Sequence, residues 1–255
     1  MKKLTLLVAV GLLTLLALAV APTALAAKPG GEQEALKNAL VKGGDLHLSR
    51  QGTYSGIANT WEWVIGSNLG YWNVVGISAT GLLAAYERTG DVRYLNGAIA
   101  AGNTLVARYD PSAGRPYSQD VEFLVRLSAD SGNPLYAAKA ATYYARVTAA
   151  FTATQIADRY IDILARKSIA GWDLASQIRA AVAVGQVEYA RGMAARLIER
   201  RTAWEGVLYG GWDYTTGSHA SLLWAFRVLG DDSFNGYVTE IRGSILAAQG
   251  VDGSW

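Results

Sequence analysis

The stretch NVVGISATGLLAAYERTGDVRYLNGAIAAGNTLVAR, residues 73–108, holds two helical segments of different character. Asn73 to Tyr86 carries no charged residue, which predicts a helix buried on most of its faces. Arg88-Thr89-Gly90-Asp91 then supplies a turn, with Gly90 as the stop and Asp91 as the next cap. From Arg93 to Arg108, Tyr94, Leu95, Ala98, Ala101, Leu105 and Val106 recur at helical spacing with polar residues opposite. A buried helix followed by a one-sided helix is the signature of a helical hairpin whose first member lies inside.

The same pairing returns three times. Val121 to Ala129 leads through Asp130–Pro134 into Leu135 to Val147. Leu174 to Val184 leads through Gly185 into Val187 to Glu199. Ala220 to Leu229 leads through Gly230-Asp231-Asp232 into Phe234 to Ala248. The buried positions Leu82, Leu124, Ile178 and Leu222 are separated by 42, 54 and 44 residues. The long interval accommodates an extra helix over Thr154 to Lys167. Such periods, with two helices each, mark a helical array. The joints also resemble one another. Gly-containing turns with an aromatic residue (Gly70-Tyr71-Trp72-Asn73, Gly171-Trp172-Asp173, Gly210-Gly211-Trp212-Asp213) precede the buried helices. Glycine permits the sharp return, the aromatic ring is expected to plug the gap between hairpins, and Asp or Asn to cap the next helix.

Before the array the chain is different. Met1-Lys2-Lys3, an apolar run from Leu4 to Val20, and Ala24-Leu25-Ala26 form the basic, apolar and small-residue parts of a secretory signal peptide over residues 1–26. A retained membrane anchor is the alternative, since the run is near the lower spanning length of about 17 residues. Residues 27–71 are expected to hold a first helix, Glu32 to Val41, ended by Gly43-Gly44. A mostly irregular segment follows, with one short helix near Asn59 to Ile65. Residues 72–255 form the array itself.

Composition narrows the function. Without residues 1–26 the chain loses two lysines, leaving 21 basic against 21 acidic residues. A neutral chain lacks the basic footprint of a nucleic-acid binder. Arg196, Arg200 and Arg201 read as a solvated helix face. No cysteine is present, so disulfides, thiolate chemistry and Cys-ligated zinc are excluded. Two distant histidines, His47 and His219, do not make a metal site, and no cofactor or metal is expected. Neither a phosphate-loop spacing nor a Gly-x-Ser-x-Gly elbow occurs.

Leu246-x-x-Gln249 followed by Asp252-Gly253-Ser254-Trp255 resembles the Gln–Trp repeat of α/α toroids of the terpenoid-cyclase and protein-prenyltransferase type. The segment from Tyr86 through Gly90-Asp91 to Ala98 resembles the hairpin turn of toroidal carbohydrate-active enzymes of the six-hairpin glycosidase type. The resemblance implies an all-α fold of repeated hairpins closing into an α/α toroid. It does not bring the chemistry. The Asp-x-Asp-Asp acid of squalene-type cyclases is missing, and the Asp/Cys/His zinc set of prenyltransferases cannot be built. Trp255 stands where a further buried helix should begin, so the expected form is an open arc of a toroid, truncated at the C-terminus.

In such toroids the loops entering the inner helices gather at one mouth. Trp72, Tyr117, Asp120, Trp172 and Trp212 are therefore the candidate substrate-binding residues, and Asp173, Asp213, Tyr214 and His219 the candidate catalytic ones. Rings stack on the apolar faces of sugars, while carboxylates bond hydroxyls or move protons. The plainer roles are plugs for Trp172 and Trp212, caps for Asp173 and Asp213, and a hydrogen-bonded histidine opening a helix after the cap Ser218. Asn73 and Glu122 share the mouth, and Trp61-Glu62-Trp63 reads equally as a lid or a core staple. The sequence-based expectation is a secreted toroid that acts on or binds extracellular carbohydrate, a lyase or hydrolase by analogy. The partner would be a polysaccharide or cell-surface glycan, with no nucleic acid, and no membrane after signal cleavage. A non-catalytic surface scaffold is the alternative, and a cyclase relative without its acid motif a weaker one.

Overall fold

A computed structural model describes residues 29–110, 114–163 and 167–250. The signal-like segment 1–26 and the Gln–Trp-like end Asp252–Trp255 lie outside the described residues. The fold is all-α. Ten helices run through the described residues: α1 Pro29–Ser49, α2 Val75–Thr89, α3 Val92–Tyr109, α4 Ser118–Ser131, α5 Pro134–Ala150, α6 Ala153–Asp158, α7 Ala170–Ala183, α8 Val187–Glu199, α9 Thr215–Leu229 and α10 Asn235–Ala248. None is long and apolar enough to cross a membrane.

The predicted turns form as their residues require. Gly90, Gly132 and Gly230, directly after α2, α4 and α9, and Gly185, two residues after α7, all take the left-handed conformation. Asp91 Oδ1 accepts from the Arg93 amide at 2.9 Å and caps α3. The helix foreseen over Thr154 to Lys167 begins one residue earlier. It is capped by a Thr152/Gln155 box and widens into a π-turn over Arg159–Ile163.

The chain divides into two compact units, Met1–Tyr144 and Ala145–Trp255. In the first, α2 is packed on by α1, α3 and α4. Val75, Ala79, Leu82, Leu83 and Ala85 of α2 are fully withdrawn from water. Burying each leucine contributes about 1.5–3 kcal/mol, and this explains why so uncharged a segment becomes the centre of its unit. In the second unit α7 takes the same place, packed against α8 and α9, with α10 on α9 and α6 on α8.

The adjoining first helices of two successive hairpins touch at their N-terminal turns in a similar way in both units. A Cβ on Gly76 would lie 2.8 Å from Asp120 Cα of α4. One on Gly171 would lie 2.8 Å from Ser218 Cβ of α9. Only glycine allows that approach.

Two expectations for the N-terminal segment are corrected. Helix α1 does not stop at Gly43-Gly44 but runs on to Ser49. Gly44 faces the Tyr94 ring, whose hydroxyl bonds Val41 O at 3.2 Å and Asp45 at 2.9 Å, so tertiary contact overrides the low helix propensity of glycine. The short helix near Asn59 to Ile65 does not form either. An antiparallel hairpin of β1 Gly52–Tyr54 and β2 Ile57–Thr60 takes its place, turned by Ser55 and Gly56, both at positive φ.

Candidate functional site

In the first unit the chain leaving β2 makes a tight loop. Trp61 is buried, stacked on His47 at 4.6 Å, and donates to His47 O at 2.7 Å. The Glu62 carboxylate accepts from the amides of Gly66 at 2.8 Å and Asn68 at 2.7 Å. These bonds hold its pKa below the ordinary carboxylate value. Trp63 N meets Leu69 O at 2.8 Å, closing the loop. The loop thus holds the Trp63 ring in water, 43% exposed, edge-on to the exposed Tyr71 ring at 5.9 Å. Of the two readings of Trp61-Glu62-Trp63, Trp61 is a staple and Trp63 is presented outward. Trp63, Tyr71 and Asn73 line a pocket of about 190 Å³. That is smaller than the ~300 Å³ at which sites for drug-sized ligands begin, and suits a single ring.

The Arg108 guanidinium lies 4.3 Å from the ring of Trp72, the residue between Tyr71 and Asn73, and 5.0 Å from Tyr109 and 5.3 Å from Tyr117. Among the described residues Arg108 Nη1 is buried without a hydrogen-bond partner, a situation that costs about 1–3 kcal/mol or more for a charged group. Gln119 Nε2 donates to Asn73 O at 3.1 Å and fixes the first turn of α4 to the pocket wall.

Asp120 is wholly buried. Its Oδ2 accepts from Tyr109 Oη at 2.7 Å and its Oδ1 from the Gly76 amide at 3.1 Å. Burial pushes its pKa up to about 7, while the Tyr109 hydroxyl, Arg108 and the Gly76 amide pull the other way. The same burial, with the Asp120 charge beside it, raises the Tyr109 phenol. Asp120 therefore sits in the first turn of its own helix and caps α2 rather than α4.

In the second unit Ser218 lies inside α9, not ahead of it. Its hydroxyl donates to Ser168 O at 2.6 Å and accepts from Trp172 N at 3.0 Å, so it caps the neighbouring helix. His219 is consequently in the second turn and buried. Its Nε2 lies 3.2 Å from Glu205 Oε1, and its ring stands edge-on to Trp204 at 6.0 Å. Tyr237 of α10 donates to the same Glu205 oxygen at 2.7 Å, and burial with that bond raises its phenol pKa. Arg201 approaches Glu205 at 3.8 Å and holds Glu240 at 2.8 Å.

The remaining candidates take plainer places. Asp213 Oδ1 accepts from Thr215 N at 2.9 Å, but the cap position of α9 is Tyr214, so Asp213 stands one residue ahead of the place expected of it. Asp173 is in the first turn of α7, not its cap. Tyr214 is half-buried, its ring edge-on to Tyr209 at 6.2 Å and its amide on Ser168 Oγ at 3.0 Å. The Trp172 ring is half-buried against Gly217. Trp212 is no plug: it is 62% exposed, carried outward by the Tyr209–Trp212 turn whose Gly210 and Gly211 both have positive φ. The plug of this unit is Trp204, fully buried over Gly171 and donating to Leu197 O at 3.1 Å. Glu122 is half-buried on α4.

Trp72, Tyr117 and Asp120 are thus brought to one neighbourhood with Arg108 and Tyr109. His219 is brought to Glu205 and Tyr237. The sequence reading missed Arg108, Trp204, Glu205 and Tyr237. Arg108 is the last helical cation before Tyr109-Asp110, a position that could have flagged it; Glu205 follows Trp204 in an otherwise featureless turn. Among the described residues no three His, Asp or Glu side chains gather closely enough to hold a metal ion. No protein-family model, curated protein or solved structure matches the chain.

Proposed function

We propose that this protein is an exported α/α toroid that binds extracellular glycan at the pocket of Trp63, Tyr71 and Asn73. The toroid reading is supported by the packing of first helices side by side, α2 on α4 and α7 on α9, with α3 on α2, α8 on α7 and α10 on α9. Export is supported by the three-part signature at the N-terminus.

One observation carries the binding role: two exposed aromatic rings at 5.9 Å, edge to face, flank an amide in a pocket of about 190 Å³. A ring that stays in water on a loop pinned by two carboxylate–amide bonds is pre-organised for stacking. The adjoining Asn73 supplies the donor and acceptor that a sugar hydroxyl pair needs. A glycan array followed by calorimetry tests it. Binding to at least one glycan is expected, with Trp63→Ala weakening it tenfold or more, about 1.4 kcal/mol. Silence on the array overturns the reading and favours the scaffold role.

A hydrolytic or lyase activity is favoured by one further observation, the Glu205 carboxylate shared by His219 and Tyr237. A histidine and a phenol sharing one carboxylate are groups of the kind that move protons. If this reading holds, the wild type releases product from some glycan and Glu205→Gln abolishes that release. If no glycan is cleaved by the wild type, the trio is a structural tie.

A further inference from the structure

We propose that Arg108 selects an anionic sugar, so that the glycan held at the Trp63 pocket carries a carboxylate or sulfate group. The inference rests on the glycan reading and deepens it. Trp72 stands between the pocket residues Tyr71 and Asn73 in the chain, so its Cα is about 3.8 Å from each of theirs. The Arg108 guanidinium lies on that Trp72 ring at 4.3 Å, with Tyr117 at 5.3 Å on the same cation. The cation is therefore held on the residue that lies, in the chain, between two residues of the pocket wall.

Stacking occupies the faces of a guanidinium and leaves its in-plane N–H donors for a partner. Those donors match a planar carboxylate or a sulfate bidentately. Six other arginines, Arg93, Arg126, Arg191, Arg196, Arg200 and Arg201, each hold a carboxylate. Arg108 holds none among the described residues, although its Nη1 is already out of water. The nearby acid, Asp120, is engaged on both oxygens, by Tyr109 and by the Gly76 amide. Trp72 is half-buried and Tyr117 is 41% exposed, so the rings that hold Arg108 form part of a surface that a ligand reaches. An incoming anion would give the guanidinium the partner that the fold withholds.

The test is calorimetric titration of the full chain with three oligosaccharide series of equal length: oligogalacturonates, sulfated galactans and neutral galactans. The wild type is expected to bind one anionic series at least about tenfold more tightly than the neutral one, with the preference shrinking as salt rises. The series that wins identifies carboxylate or sulfate as the group. Arg108→Gln removes the preference and keeps the neutral affinity, with its melting curve confirming the fold. Arg108→Lys, which keeps the charge and loses the fork, retains part of the preference and serves where the Gln variant does not fold. A preference for neutral sugar, equal binding of all three series, or an unchanged preference in both variants overturns the inference and leaves the glycan reading standing. If no series binds and Trp63→Ala changes nothing on a wider array, both fall.

Discussion

The Ser218 hydroxyl lies 3.0 Å from the backbone nitrogen of Trp172, so the first turn of α7 is capped by a side chain of α9. Asp120 and Gly76 repeat the relation between α4 and α2 at 3.1 Å. In both places an exposed-looking polar residue in the sequence is spent inside, on the orphan amides that every helix start leaves.

Removing the Ser218 hydroxyl strands the Trp172 amide and the Ser168 carbonyl together. Ser218→Ala is expected to cost about 1–3 kcal/mol. Gly171→Ala, which drives a methyl into Ser218 and Trp204, should cost about 1–3 kcal/mol by overpacking. Urea denaturation of each variant measures both. A loss below half a kilocalorie in either would mean that the helix ends part without penalty.

Asp120 gives the stability curve an unusual slope. Its folded pKa, about 7, is above the unfolded value of about 3.9. The native state therefore holds the proton more tightly between those limits. Stability falls as pH rises from ~4 to ~7 and is flat beyond, by up to about 4 kcal/mol from this group alone. Thermal melts across that range should show the decline in the wild type and its absence in Asp120→Asn.

Asp158 behaves oppositely. Arg196 and Arg200 hold its carboxylate at 2.8 Å each, and the Arg196 hydrogen bond leads in lowering its pKa. A depressed acid contributes stability above its unfolded pKa, near ~3.9, and loses it as pH falls through the folded value. Asp158→Ala is expected to cost about 1 kcal/mol at neutral pH, because the network is partly exposed and screened. High salt should shrink that cost, which paired denaturations at low and high ionic strength would reveal.

The two tryptophans on either side of the Val207–Gly211 turn should part sharply. Trp204 is fully buried, and Trp204→Ala is expected to lose about 3–5 kcal/mol. Trp212 stands in water, and Trp212→Ala should change stability by less than about 0.5 kcal/mol. Comparable losses at the two positions would contradict the assignment of Trp204 as the plug.

Much of the helical order was legible because it is written locally. Val187–Glu199 came out to the residue, and the Gly90-Asp91 and Gly230-Asp231 turns carry both the stop of one helix and the cap that opens the next. What could not be read was set by contacts distant in sequence. Gly43-Gly44 looks like a helix end until Tyr94, about fifty positions on, closes over Gly44. Ser218 looks like the cap of its own helix because nothing near it shows that Trp172 N lies within reach. Trp212 has the neighbours of a plug, yet two glycines at positive φ turn it outward and leave the space to Trp204. The site residues divide the same way. Trp72, Tyr117, Asp120 and His219 stood out by type and place, whereas Arg108, Glu205 and Tyr237 matter only through what they touch.

The ties at the helix starts also bear on how the chain finds its fold. Asp120 reaches back 44 residues to Gly76, and Ser218 reaches back 46 to Trp172. Loop-closure entropy grows only with the logarithm of length, so the two closures cost nearly the same. Neither requires the far end of the polypeptide. Each tie can therefore close once its own stretch of chain is available, so the two helix starts are secured by closures of similar, independent cost.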